Sequence, residues 1–158
     1  MKTLILMRHA HANWDDNRWP DFDRPLTPRG QEQAPRMGRR LARLGIQPDK
    51  IVCSSAVRTR QTAEHVAGEL NCTDRIQAET RLYLCPVSTW ELAIDRFPDE
   101  WNTIVAVGHN DGLEQLVSYL RQQPTHVPPA GLSIIQLPQW AGFDRTLAPS
   151  SMETWVPE

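Results

Sequence analysis

The sequence predicts a three-layer α/β/α domain spanning residues 1–158, with a largely parallel central sheet. Three observations predict it. First, Thr3-Leu4-Ile5-Leu6-Met7 and Thr103-Ile104-Val105-Ala106-Val107 are unbroken or nearly unbroken apolar runs, without the polar alternation of a half-solvated strand, and read as strands buried on both faces. Second, stretches with helical spacing alternate with the strand-like runs, the order of elements that yields a parallel sheet covered on both sides. Third, a chain of 158 residues can bury about two-thirds of the surface its unfolded form exposes, so one core suffices without a disulfide or a metal. No internal repeat, low-complexity tract or linker divides it.

Residues 3–7 form the first, central strand, and Arg8-His9 sits at its exit. Residues 10–26 hold Asn, Asp, Pro and Trp without periodicity and read as a loop long enough to wall a site. Thr27-Pro28 has the form of a helix cap followed by proline at the first helical position. Ala34, Met37, Leu41 and Leu44 then trace an apolar stripe that Gly45 ends. Pro35 removes a backbone hydrogen bond and crowds the preceding turn, which predicts a kink or an early break there. Ile51-Val52-Cys53 is a second short strand. After Ser54-Ser55 comes a helix carrying Val57, Ala63, Val66, Ala67 and Leu70, with Arg58 in its first turn. Residues 76–84 are expected to hold a strand, and residues 89–97 a helix stopped by Pro98. The strand at 103–107 runs into Gly108-His109-Asn110 and a helix with Leu113, Leu116, Val117 and Leu120 on one face, repeating the design at Arg8-His9. Residues 132–137 form a late strand, and residues 148–158 show no regular pattern.

Hydrophobic residues make up 40% of the chain and charged residues 23%, as in ordinary folded proteins and unlike disordered or fibrous ones. The formal net charge of −2 supplies no overall basic field for nucleic acid or an anionic membrane, although a local pocket can still be positive. No apolar stretch approaches the roughly 18 residues of a membrane span. Cys53, Cys72 and Cys85 are odd in number, lack metal-type pairing and follow no secretory leader, so a reducing cytoplasm is the expected compartment.

In open α/β sheets ligands bind beyond the carboxyl ends of the strands. Here the strand exits carry Arg8-His9, the Ser54 to Arg58 segment and Gly108-His109, which can converge on one crevice. Two histidines and two arginines gathered there suit a phosphoryl group. Planar guanidiniums pair with its oxygens in bidentate fashion and disperse charge in the transition state, and a neutral imidazole can attack phosphorus. Ser54 and Thr59 either hydrogen-bond phosphate or cap the helix. No metal or other cofactor is expected: His11 forms a His-x-His with His9, but no third ligand is evident.

Leu6-Met7-Arg8-His9-Ala10 resembles the signature of the histidine phosphatase superfamily, the phosphoglycerate mutase-like fold. Arg24-Pro25-Leu26-Thr27-Pro28-Arg29-Gly30, the stretch Ser54-Ser55-Ala56-Val57-Arg58-Thr59-Arg60-Gln61-Thr62-Ala63, and Val107-Gly108-His109-Asn110 are similar to its compact branch, the SixA-type phosphohistidine phosphatases. The resemblance runs from about residue 3 to about residue 120, with the motifs in order. It implies His9 as nucleophile, Arg8 and Arg58 as phosphate clamps, and His109 as a second imidazole on the phosphoryl oxygens. The physical reading agrees: attack by His9 divides hydrolysis into phosphoenzyme formation and attack by water. His9 needs one ring nitrogen unprotonated, so the other should donate to a backbone carbonyl, sought in the loop after Ala10. Bound phosphate would be surrounded by Arg8, Arg58 and His109, the last in its neutral or its protonated form.

The mutase branch places a general acid shortly after its third strand. Here that region reads Glu79-Thr80-Arg81-Leu82-Tyr83-Leu84-Cys85, with no carboxylate just after Arg81-Leu82. Glu79 is displaced from the position, and Asp21, Asp23 and Asp111 have no better claim. Phosphohistidine has a better leaving group than a sugar or glycerate ester, so the gap tilts the expected substrate toward phosphohistidine on a protein. A small phosphate ester is the alternative if a carboxylate from the loop at 11–24 folds over the site, and a catalytically idle phospho-ligand-binding regulator is a third. A cysteine-phosphatase reading fails on spacing, since four residues rather than five separate Cys53 from Arg58. Arg36, Arg39, Arg40 and Arg43 read as the solvated side of their helix, and Trp14 and Trp19 as entrance or loop-core residues.

Overall fold

The computed structural model describes residues 1–14 and 18–157. Among these, six strands form one sheet: β1 (Lys2–Arg8), β2 (Lys50–Ser54), β3 (Ile76–Glu79), β4 (Thr103–Gly108), β5 (Leu132–Leu137) and β6 (Ser151–Trp155). Their spatial order is β3-β2-β4-β1-β5-β6. Neighbours from β3 through β1 pair parallel, whereas β5 runs antiparallel to β1 and β6 antiparallel to β5. The four helices of the described residues are α1 (Pro28–Arg43), α2 (Val57–Glu69), α3 (Val87–Asp95) and α4 (Gly112–Arg121).

Because successive strand side chains point to opposite faces, the unbroken apolar run in β1 serves two cores at once. Leu4 and Leu6 pack with Trp90, Ile94, Leu113 and Leu116 from α3 and α4, while Ile5 and Met7 pack with Met37, Leu41, Ala63 and Val66 from α1 and α2. Each large side chain so buried contributes about 1.5–3 kcal/mol. This double covering makes the three layers, and it leaves the ends of the parallel strands as the open edge of the core.

Thr27 caps α1, its hydroxyl accepting from Gly30 N at 3.2 Å. At the other end Gly45, at φ +74°, donates to Ala42 O, and Ile46 N donates to Leu41 O. Those two bonds close the left-handed helix terminus that favours glycine. The break or kink expected at Pro35 does not end the helix, which continues for 16 residues across it. Ala34, Met37, Gly38 and Leu41 bury one face of α1, and a Cβ on Gly38 would stand 3.0 Å from Glu69 Cβ, so α2 packs closely alongside. That burial outweighs the roughly 3 kcal/mol an interior proline costs.

The carboxyl-terminal stretch without regular pattern contains β6, which pairs with β5 from Leu132↔Trp155 to Gln136↔Ser151. It is an edge strand with exposed and half-buried residues, so it has no apolar run to betray it, and Trp155 is covered by the Arg40 guanidinium 4.4 Å away. The strand expected over 76–84 stops at Glu79. The chain turns through Thr80–Leu82 as a short 3-10 helix, sinking Leu82 into the core and turning Tyr83 toward the exit of β4. No helix among the described residues is long and apolar enough to cross a membrane.

Candidate active site

Three neighbouring parallel strands deliver the candidate residues together. Arg8 ends β1 and His9 follows it; Gly108 ends β4 and His109 follows it; Ser54 ends β2, and Arg58 lies in the first turn of α2. The register pairs Arg8 with Gly108, and His9 N donates to Gly108 O at 3.1 Å, so the two histidines leave the sheet at the same level. Their ring centroids are 5.3 Å apart. Gly108 is required by packing: a Cβ there would stand 2.5 Å from Trp90 in the core. Gly30 lets the first turn of α1 close onto the His11 carbonyl, which a Cβ would meet at 2.2 Å.

His9 is buried, and its Nδ1 donates to the carbonyl of Ala10 at 2.7 Å. The acceptor sought beyond Ala10 is thus Ala10 itself, and the bond leaves Nε2 as the unprotonated nitrogen. Ala10 N in turn donates to Thr62 Oγ1 at 3.0 Å, and Thr62 donates to Arg58 O at 2.8 Å, which fixes the histidine loop to α2. Burial pushes the His9 imidazole down to about 3; the Ala10 carbonyl opposes this, while His109, Arg58 and Arg8 add to it. His9 is therefore neutral at pH 7.

His109 is also pushed down to about 3, by burial first and then by Arg58, with Asp21 opposing. In the ligand-free site the ring is neutral, because taking an imidazolium out of water beside two guanidiniums is too costly. Its Nε2 lies 2.8 Å from Ser54 Oγ, which also accepts from Ala56 N at 3.3 Å, and its Nδ1 is buried without a partner. Ser54 therefore touches His109 rather than capping α2, whose cap residue is Ala56. Thr59 donates to the Ser54 and Ala56 carbonyls.

Arg8 donates to Val127 O at 3.1 Å, and burial lowers its guanidinium while Glu114 and Asp111 pull it back. Arg58 is fully buried and directs both terminal nitrogens at Asp21, NH1 to the backbone carbonyl at 2.7 Å and NH2 to the carboxylate at 3.1 Å. Trp14 lies over the Arg58 guanidinium at 5.1 Å and near the His9 ring at 6.0 Å. The Tyr83 hydroxyl donates to the same Asp21 carboxylate, and its ring meets His109 edge-on at 5.5 Å and Phe22 at 4.9 Å.

Asp21 and Tyr83 are the residues that sequence reasoning passed over. Asp21 had no better claim than its neighbours there, yet the loop folds it onto Arg58. Tyr83 had a signal that went unread: the exits of β1, β2 and β4 all carry candidate residues, so the exit of β3 beside β2 was the next place to look. Glu79 is committed to Arg81 at 3.2 Å. Cys53 is buried, and burial raises its thiol to about 12, so it is no thiolate. His11 Nδ1 contacts Thr27 Oγ1 at 2.7 Å, and no three metal-ligating side chains cluster among the described residues. A groove of about 850 Å³ elsewhere, lined by Pro86, Glu114, Tyr119 and Arg145 among others, includes none of these imidazoles or guanidiniums. Residue chemistry rather than volume marks the site.

Fold and cluster together define an α/β domain that gathers imidazole and guanidinium groups at the exits of its parallel strands. The sequence profile of the histidine phosphatase superfamily (branch 1) matches residues 4–92, and the chain belongs to that superfamily. An uncharacterised chloroplastic protein of Arabidopsis thaliana is 32% identical over 75% of this chain and 59% of its own length. The inferred phosphoglycerate mutase GpmB of Citrobacter koseri is 32% identical over 88% of this chain and 66% of its own length. The chain thus spans about three-fifths to two-thirds of these relatives. Among solved structures, an inferred phosphohistidine phosphatase SixA of Nakamurella multipartitia superposes with a TM-score of 0.80 at 27% identity, covering 99% of this chain and 96% of that one. The protein histidine phosphatase SixA complexed with tungstate superposes at 0.77 over 85% of this chain and 88% of that one; at 22% identity the likeness is one of fold.

Proposed function

We propose that this chain is a phosphohydrolase acting through a phospho-His9 intermediate, with phosphohistidine on a protein as its substrate. One observation carries the reading: a buried, neutral imidazole whose Nδ1 is tied to Ala10 O at 2.7 Å, leaving Nε2 free beside Arg58, Arg8 and His109. In the first step Nε2 of His9 bonds to phosphorus while the substrate's P–N bond breaks, the departing imidazole leaving neutral because its other nitrogen already carries a proton. In the second, water attacks phosphorus, the His9–P bond breaks, and inorganic phosphate leaves. Arg8 and Arg58 bind the phosphoryl oxygens and disperse the charge of the transition state. Ser54 orients His109: its oxygen accepts from Ala56 N, its own proton goes to Nε2, and His109 Nδ1–H is left to donate to a phosphoryl oxygen. The protein's own cations supply the charge that a metal would otherwise provide.

The substrate choice is supported by the fold neighbours bearing the SixA name, one of them holding the tetrahedral oxyanion tungstate. Relatives named phosphoglycerate mutase and the presence of Asp21 in the site favour a second reading, a phosphatase of small esters with Asp21 as the acid. Against it, burial raises the Asp21 carboxyl, but the Tyr83 hydrogen bond and the Arg58 charge outweigh this and hold it below its ordinary value. At neutral pH it has no proton to give a reluctant alkoxide. Incubation with a phosphohistidine peptide and with a chromogenic phosphate ester separates the readings. Faster turnover of the peptide is expected; a clear preference for the ester favours the second, and turnover of neither despite binding leaves a regulator.

A further inference from the structure

The Arg58 guanidinium, assigned above to the substrate's phosphate, is not vacant. Its NH1 donates to Asp21 O at 2.7 Å and its NH2 to Asp21 Oδ2 at 3.1 Å, while its Nε is buried without a partner. Tyr83 commits its hydroxyl to the same carboxylate oxygen. A guanidinium grips a phosphoryl group through a pair of parallel N–H donors, and the Asp21 carboxylate holds NH2, which belongs both to the terminal pair and to the pair with the unpartnered Nε. Asp21 itself is anchored from outside the cluster only loosely: Arg24 Nε is 3.7 Å from Oδ1, and the side chain is 39% exposed. Its carboxylate has solvent to move into.

We infer that Asp21 is an internal competitor for the phosphate cradle: its carboxylate holds Arg58 and Tyr83 in the empty site, yields both to an incoming phosphoryl group, and returns to drive out inorganic phosphate. The inference rests on the reading that Arg58 binds the phosphoryl group. A neutral competitor could not do this, because the exchange works by like charge: two anions cannot share one buried cation without cost. Binding of every anion is weakened by the same factor, the equilibrium constant for the Asp21–Arg58 contact. The enzyme gains by it at the last step, where a cradle with two guanidiniums would otherwise retain its product. Asp23, exposed and two residues away, adds a similar charge to the neighbourhood without touching Arg58, and so distinguishes displacement from a general field.

Calorimetric titration with inorganic phosphate tests the idea on wild type, Asp21→Asn, Asp23→Asn and Arg58→Ala. D21N should bind phosphate about fivefold more tightly or better, the size of a charge-assisted pair that is partly open to water. D23N should bind as wild type does, and R58A much more weakly. Asp21→Ser repeats the measurement should D21N fail to fold. Unchanged or weaker phosphate binding on loss of the Asp21 charge, or equal tightening in D23N, overturns the inference while leaving the site intact. Undiminished binding by R58A would instead overturn the placement of phosphate at Arg58.

Discussion

Ser54→Ala removes one oxygen atom from the fully buried contact between β2 and His109. In the native site Ser54 Oγ lies 2.8 Å from His109 Nε2 and 3.3 Å from the Ala56 amide. The hydroxyl oxygen can accept from the amide and give its own proton to Nε2, and in that proposed assignment the neutral ring carries its proton on Nδ1. Alanine leaves Nε2 as a buried acceptor without a partner, at a cost of about 1–3 kcal/mol. For a domain of this size that lowers Tm by roughly 2–4 °C per kcal/mol. The freed ring also has no reason to keep its proton on Nδ1, and each molecule with the other tautomer lacks a donor for the phosphoryl oxygen. Loss of one such donor costs about 100-fold in kcat, with KM changed far less because the donor matters most as charge builds. Steady-state kinetics on a chromogenic ester and a thermal melt measure both effects, and imidazole 15N shifts report the tautomer. Wild-type kcat in S54A, with the His109 pattern unaltered, would refute the tautomer assignment.

Arg58→Ala should lower kcat/KM by about 3 kcal/mol, or more than 100-fold, since a buried charged donor is removed from the developing phosphoryl charge; activity within tenfold of wild type contradicts its role. Stability should fall on acidification. His9 and His109 are held near 3 by burial and neighbouring cations, whereas in the unfolded chain they titrate near 6.5. Protons therefore bind the unfolded state preferentially between those values, so stability is full above about 6.5 and declines below it, by at most about 1.4 kcal/mol per pH unit for each histidine. Urea midpoints at pH 7.5 and pH 5 check this, and a midpoint no lower at pH 5 refutes it. Activity should survive EDTA, as the guanidiniums supply the charge; inactivation reversed by a divalent ion contradicts that.

Most of the fold was legible because strands covered on both faces are mostly apolar: β1 and β4 declare themselves by composition, and their exits fix where His9 and His109 emerge. What escaped detection escaped for physical reasons. β6 is an edge strand whose residues are exposed or half-buried, so burial wrote no pattern into it. Pro35 carried a true local penalty that tertiary packing of α1 on α2 outweighed. In the site, residues fixed by the sheet were readable, whereas Asp21 reaches Arg58 through a loop whose path depends on contacts far apart in sequence, such as the isolated Ala12↔Leu26 bridge and the Arg24 bonds to the Asn13 and Trp14 carbonyls.

Rapid quenching of the enzyme into alkali during turnover, where phosphohistidine survives, followed by peptide mapping in the mass spectrometer, probes the nucleophile itself. Phosphate should be found on the peptide containing His9 and vanish in His9→Ala, together with turnover. Phosphate on any other residue, or full turnover by H9A, would contradict the covalent mechanism.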